Sequence, residues 1–344
     1  MEYLNYLKKK NPKIKLKKLL SNDEIKQLNS IWETEKSFFF KFKLKKLIKK
    51  ILKLFNIDFH LNQSRKITNV LEKYDKISGG YVKRYEDKKH DYIGYWLNND
   101  VAEISGLPIH QVTFFINNFI KENKLNSFIE VGAGELTTVQ SLFEFLDKYN
   151  IEKSAAIDLS FKRVQVGKKF IEKNNTKVDI IARSNAEFLP FDNNKFDLVY
   201  TNYCLEQVPD LFDKIVNELI RITNKYVILV EPSYEFSEKY SKNKILVKNY
   251  PIITKNSFAN KNCKLLFRGP MPYSRYINRS EIVILEKKII SGEKLSNNKF
   301  DFICPISKQE LFKKQDFYYT EDNKIKYPIK DGIPLLANFD AIYL

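Results

Sequence analysis

The chain has 344 residues, 43% of them apolar and 14% aromatic, which is enough to bury an ordinary core and argues against wholesale disorder. Its net charge of +17 rests on 51 lysines against eight arginines, and planar, bidentate recognition of phosphates and bases favours arginine, so the charge alone does not specify nucleic acid. No apolar run is long enough to span a bilayer, the start lacks the apolar segment of a signal peptide, and Cys204, Cys263 and Cys304 fit neither a disulfide framework nor a four-ligand zinc site. A soluble protein of the cytoplasm is therefore expected.

The first sixty residues hold 16 lysines and six acidic residues. Within them KFKLKKLIKKILKLF, from Lys41 to Phe55, sets Leu44, Leu47, Ile48, Ile51 and Phe55 at helical spacing with lysines opposite. Such a basic amphipathic helix either packs on the body by its apolar stripe or lies on an anionic membrane, which would place the protein peripherally at the inner face. Residues 79–100, GGYVKRYEDKKHDYIGYWLNND, are rich in tyrosine and read as a lid over a substrate or as a surface connection. DVAEISGLPIHQVTFFINNFIKENK (100–124) reads as helix.

From residue 127 short β-rich runs alternate with helical segments: 127–131, 155–158, 178–182, 196–201 and 226–230, with 264–268 and 281–286 extending an edge. The alternation predicts an α/β protein with a doubly wound, mostly parallel sheet of seven strands covered on both faces. A polar linker at 291–299 then leads to a small C-terminal unit. The expected organisation is a basic helical N-terminal extension and lid (1–100), a central domain (101–290) and a small α+β domain (298–344).

The chemistry begins at FIEVGAGELTT (128–138). A strand followed by Gly132, Ala133 and Gly134 and then a helix brings backbone N–H groups toward an anionic or polar ligand, with no Cβ in the way. A dinucleotide turn would carry a third glycine where Thr137 stands, and a carboxylate at Glu130 would repel a pyrophosphate. Glu130 instead suits an ammonium group, so the pattern points to a nucleoside that bears an amino acid.

With AAIDLS (155–160) and RSNAEFLPFDNNKFDLVYTNYCLEQVPD (183–210) following in order, residues 126–287 resemble the class I S-adenosylmethionine-dependent methyltransferases of Rossmann-like fold. The resemblance implies S-adenosylmethionine as cofactor. Glu130 would face its ammonium, with Gly132, Ala133 and Gly134 under the methionine portion. Asp158 would accept from both ribose hydroxyls, with Leu159 against the adenine. Asn185 and the Ala186 N–H would meet the adenine, and Asn202 and Tyr203 would stand at the exit of the fourth strand. The family often has glycine where Leu136 stands and histidine where Gln207 stands.

The C-terminal unit resembles a zinc-ribbon-like family of methyltransferase partner proteins. YPIKDGIPLL (327–336) keeps that family's ending, but CPIS (304–307) lacks the second cysteine, so no metal is expected. Asp331-Gly332 between prolines predicts a tight turn between short strands.

Methyl transfer is an in-line displacement that depends on alignment and exclusion of water, with a base only where the acceptor holds its proton tightly. Glu206, Tyr203 and His90 are the candidate catalytic residues; Glu231 lies on the same rim. Three functions compete: transfer to a small molecule or to a surface-glycan or lipid-linked acceptor, transfer to tRNA or rRNA, and a scaffold that keeps the fold without turnover. TNYC (201–204) after the fourth strand, in place of an Asn-Pro-Pro-Tyr-like motif, argues against methylation of the adenine amino group in nucleic acid.

Overall fold

The computed structural model describes residues 14–33, 67–87, 92–105, 112–147, 149–288 and 302–344, together with Asn5 and Lys8. The amphipathic stretch 41–55, His60, His90, His110 and the linker 291–299 lie outside these residues. The N-terminal part holds β1 (Lys15–Leu19), α1 (Asn22–Glu33), α2 (Ile67–Lys76), α3 (Gly80–Asp87), β2 (Tyr92–Leu97) and β3 (Asp100–Ser105). The expected helix over 100–124 is thus corrected. Its first six residues form β3, which pairs with both β1 and β2, and helix α4 spans only Val112–Glu122. Two observations explain the difference. Asn98 takes a left-handed φ of 57° in the two-residue turn that joins Leu97 to Asp100, a conformation asparagine tolerates, and the hairpin buries Val101, Ala102 and Ile104.

The central domain continues through β4 (Ser127–Val131), α5 (Thr137–Leu146), β5 (Lys153–Asp158), α6 (Phe161–Lys173), β6 (Ile180–Arg183), β7 (Phe196–Asn202), α7 (Phe212–Ile222), β8 (Thr223–Pro232), α8 (Lys239–Val247), β9 (Cys263–Pro270), β10 (Tyr273–Arg275) and β11 (Ser280–Lys287). Seven strands form one sheet in the order β6-β5-β4-β7-β8-β11-β9, parallel from β6 to β8 and antiparallel at β11. β10 joins β2 instead, giving a second sheet in the order β1-β3-β2-β10. Successive strand residues point to opposite faces. Ile129 and Val199 therefore enter the core beneath α7, where Ile215, Val216, Leu219 and Ile222 supply a helical stripe, while Phe128 and Leu198 pack with Ile116, Ile120, Leu142 and Leu146 of α4 and α5. The chain turns to opposite sides of β4 on reaching β5 and β7, and a crevice opens at the carboxyl ends of these strands, where this topology places ligands.

The C-terminal unit is built from β12 (Leu311–Lys314), β13 (Phe317–Thr320), β14 (Ile325–Lys330), β15 (Ile333–Pro334) and β16 (Ile342–Tyr343). The expected tight turn joins β14 to β15, with Asp331 and Gly332 both at positive φ. The unit covers the exposed edge at β6: the Leu336 N–H donates to the Arg183 carbonyl, and the Arg183 guanidinium bonds Asp340 at 2.7 Å beneath the Phe339 ring. Phe302 and Tyr327 enter the same core as Phe191 and Phe196. Cys304 is buried, with the Ser307 N–H donating to its sulfur, and among the described residues no group of three or more potential ligands could hold a metal ion. Among the same residues no helix is long and apolar enough to cross a membrane.

Helices α2 and α3 lie over the crevice. The carboxylate of Glu135, inside the glycine turn, accepts from the N–H groups of Gly79, Tyr81 and Val82 at 3.0, 3.0 and 2.8 Å. It therefore fills the orphan-donor end of α3, where a negative charge is favoured. Further ties run from the Ser160 hydroxyl to Asp75 and from Lys73 to Gln207.

Two measurements test this architecture. Phe191 is fully buried with ring contacts to Phe196 and Phe302 at 5.1 and 5.8 Å, so Phe191→Ala is expected to cost about 3–5 kcal/mol, read as a lower urea midpoint at unchanged slope. Glu135→Ala should speed native-state hydrogen exchange of the amides of Gly79, Tyr81 and Val82 by tenfold or more, for about 1–3 kcal/mol of lost local bonding. Unchanged exchange would mean that α3 is held by other contacts.

Candidate active site

The crevice is a cavity of about 350 Å³ floored by the tips of β4, β5 and β7 and roofed by α2 and α3. The glycine turn shapes its floor. Gly132 has φ of +82°, and a Cβ there would come within 2.5 Å of the Cys204 sulfur, so any other residue would be strained there. Leu136, where glycine was the expectation of the family pattern, takes the same left-handed backbone at φ 56°. Gly167 makes room for its side chain, since a Cβ on Gly167 would stand 2.6 Å from Leu136 Cδ1. The turn is kept at a local backbone cost.

Two carboxylates stand at neighbouring strand ends. Glu130 is 1% exposed and accepts from the Tyr200 hydroxyl at 3.1 Å. Burial, aided by the charge of Asp158 and opposed by the Tyr200 bond, raises its pKa to about 8. Its charged form is thus favoured chiefly when a cation arrives. Asp158 ends β5, and its two oxygens accept from the N–H groups of Gly134 at 2.9 Å and Ser160 at 2.8 Å. Asp158 lines the cavity, and each carboxylate oxygen can accept a further hydrogen bond, as a vicinal diol requires. Ser160 caps α6 by accepting from the Arg163 N–H.

Leu159, Asn185 and Ala186 line the same cavity. Asn185 is also committed elsewhere: its amide donates to Asn338 of the C-terminal unit at 3.1 Å, and its oxygen accepts from the Glu187 N–H. The C-terminal unit thus helps to hold the Asn185 side chain in place. At the end of β7, Asn202 turns a buried oxygen without a hydrogen-bond partner among the described residues, and the nearby Ser184 hydroxyl is in the same state. Buried polar atoms of this kind mark where a ligand's own polar groups belong. Glycine turn, paired carboxylates and orphaned polar atoms together fit a nucleoside with an amino-acid end.

From beyond β7 and from β10 and β11 the cavity is lined by Tyr203, Glu206, Tyr273, Arg275, Asn278 and Ser280. Tyr203 is held in a left-handed backbone, φ 55°, with its hydroxyl bonded to that of Ser280. Burial pushes its phenol up to about 12, so it is a donor rather than a base. Burial also raises the Glu206 carboxyl, against the opposing pull of Lys244, the Gln207 amide, Lys248 and Lys73. Gln207, at the family's histidine position, donates to Glu206. Glu231 is not free for catalysis. Although burial and Glu206 push its pKa up to about 8, its oxygens accept from the N–H groups of Cys204, Leu205 and Glu206 and so fix the turn that carries the rim residues.

The motif residues line one crevice except Gly134, which is not among its lining residues and instead donates its N–H to Asp158, and His90, which lies outside the described residues. Sequence reasoning missed α2 as a wall of the cavity, together with Glu135 and Arg163. One available signal was composition: of the chain's eight arginines, Arg84, Arg163 and Arg275 line this cavity.

Residues 129–230 match the profile of a family described as a methyltransferase domain. No curated protein matches the chain. Among solved structures, the chain is similar to magnesium protoporphyrin IX methyltransferase from Synechocystis PCC 6803 with bound S-adenosylmethionine, at 12% identity, 52% of this chain, 79% of that chain and a TM-score of 0.40. A S-adenosylmethionine-dependent methyltransferase from Aquifex aeolicus is 13% identical over 52% of this chain and 92% of that chain, with a TM-score of 0.37. The YcgJ protein from Bacillus subtilis is 13% identical over 53% of this chain and 100% of that chain, with a TM-score of 0.41. The profile match falls on the strands and turns that carry Glu130, Asp158, Asn185 and Asn202, and residues 129–230 of the chain form a methyltransferase domain.

Proposed function

We propose that the enzyme transfers the methyl group to a small molecule, or to the end of a glycan or lipid-linked acceptor, by in-line displacement. The observation that carries this reading is the cavity itself: about 350 Å³ beneath two helices, lined by Asp158 and Asn185 at the ends of β5 and β6 and by Tyr203 and Glu206 beyond β7. A cavity roofed by two helices suits a small acceptor or a single chain end rather than a broad polymer surface. S-adenosylmethionine supplies a methyl group already activated on a sulfonium, so the protein's task is to align the acceptor and keep water out.

In this reading Asp158 takes the ribose diol and Glu130 the ammonium. Leu159, Asn185 and Ala186 surround the adenine. Gly132, Ala133 and Gly134 pass under the methionine portion, and Asn202 meets the cofactor at the end of β7. Tyr203 orients an acceptor hydroxyl as a hydrogen-bond donor, and Glu206 takes its proton. Of the candidate bases, Glu206 has the placement and a raised pKa, which brings a carboxylate closer to the range useful for a base near neutrality.

RNA is the second reading, favoured by the net charge of +17 and by the likeness of the C-terminal unit to methyltransferase partner proteins. Phosphate contacts would make RNA affinity fall steeply between 50 and 200 mM salt. Millimolar affinity at physiological salt would remove it. The stretch from Lys41 to Phe55 remains a proposed contact with anionic membrane; liposome binding that survives deletion of residues 1–60 would remove that role.

Asp158→Ala is expected to weaken cofactor binding by about 1–3 kcal/mol, measured by calorimetry, because bonds to a charged acceptor are lost. Unchanged affinity would take Asp158 out of the site. For Glu206 the sign follows from its raised pKa: the base form is depleted as pH falls, beginning above the ordinary carboxylate range. Transfer of radiolabelled methyl to an accepting extract fraction should show that acidic limb in wild type. Glu206→Gln should be about 10²–10⁴-fold slower and lack the limb. An unaltered profile in that variant would exclude Glu206 as the base.

A further inference from the structure

One strongly charged side chain inside the crevice stands apart from the residues assigned to the nucleoside and to the acceptor. Arg163, on the first turn of α6, is 9% exposed. Its guanidinium lies between the rings of Tyr74 and Tyr81, at 4.8 and 5.0 Å from their centres. The nearest carboxylates, Glu135 and Asp158, stand 3.8 and 3.9 Å away, beyond hydrogen-bond reach, and its Nε has no partner among the described residues. Both carboxylates already accept backbone N–H bonds, Glu135 from the start of α3 and Asp158 from Gly134 and Ser160.

A guanidinium offers five donors in a fixed fork, and leaving them unmet inside a protein is costly. The two tyrosine faces hold its charge by cation–π attraction and also fix its plane, but they accept none of its hydrogen bonds in that plane. The fork is directed into the glycine turn: a Cβ on Gly134 would come within 2.2 Å of its Nη2. Arg163 and Glu130 line the same cavity. A cationic fork and a carboxylate in one apolar-walled crevice are the two halves of a receptor for a zwitterion.

The cofactor has one anionic group. Its ammonium and sulfonium are cations, and its ribose and adenine are neutral. We propose that Arg163 binds the α-carboxylate of S-adenosylmethionine while Glu130 holds the ammonium, an inference that rests on the cofactor assignment. A planar guanidinium pairs with a carboxylate through two parallel bonds. The pairing also neutralises a positive charge that would otherwise oppose the sulfonium. Because Tyr74 belongs to α2 and Tyr81 to α3, the arginine is fixed only when the helical roof is in place, so recognition of the amino-acid end and closure over the crevice are one event.

The test uses calorimetry of the full chain with two ligands: S-adenosylhomocysteine, and 5′-methylthioadenosine, which keeps the adenine, ribose and thioether but has no amino-acid end. Arg163→Met should raise the Kd for S-adenosylhomocysteine about thirtyfold and leave that for 5′-methylthioadenosine within about twofold, while Arg163→Lys retains part of the affinity. Equal weakening of both ligands would assign Arg163 to the ribose or to packing of the roof and overturn the proposal, as would unchanged affinity for S-adenosylhomocysteine. Wild type alone gives an independent check should the variant fail to fold. Decarboxylated S-adenosylmethionine should bind at least about tenfold more weakly than S-adenosylmethionine, and equal binding overturns the proposal. Wild type that binds neither nucleoside would remove the cofactor assignment and this inference with it.

Discussion

The site depends on the carboxylate of Asp158 being held by the N–H groups of Gly134 and Ser160. Those two bonds tie the turn after β4 to the turn after β5, so the two strand ends that carry Glu130 and Asp158 cannot drift apart independently. Charge-assisted bonds of this kind are short and about twice as strong as neutral ones, and they persist because the groups around them are buried. The same turn supplies Glu135 to the start of α3, so a stretch of six residues from Glu130 to Glu135 sets the floor of the crevice and anchors its roof.

Much of this was legible in the amino acids. Strands buried on both faces read as continuous apolar runs, and each of the seven central strands lies within a few residues of its expected place. The glycine turn and the strand-end Asp158 were legible because close backbone approach and a strand-end carboxylate restrict residue choice at fixed spacing. β3 was not, because its polar ends gave DVAEIS a helix-compatible pattern, and what decides its conformation is pairing with β1 and β2. Glu135 and Arg163 were hidden for a similar reason. Each acts on residues more than fifty positions away, or through aromatic rings brought in by the N-terminal helices, and no local period records such contacts.

The part of the crevice at Tyr203 and Glu206 has a different character from the part at Asp158. Its rim is set by the buried Glu231, which gathers three consecutive backbone N–H groups. It is also set by the left-handed backbone at Tyr203, a conformation that costs energy and survives only where surrounding contacts impose it. Strain, orphaned polar atoms and raised carboxyl pKa values coincide in this crevice, as expected where stability has been traded for chemistry.

The C-terminal unit has its own sheet but not its own interior. Phe302, Cys304, Leu311, Tyr327 and Leu336 share one core with residues of β4, β5 and β7, and Asn338 holds Asn185. A tail fused in this way is not a detachable passenger. A chain cut before Phe302 would bare apolar surface and an unpaired strand edge at β6, an invitation to self-association, and would slacken the crevice at Asn185. Catalytic competence and resistance to clumping thus descend from the same seam.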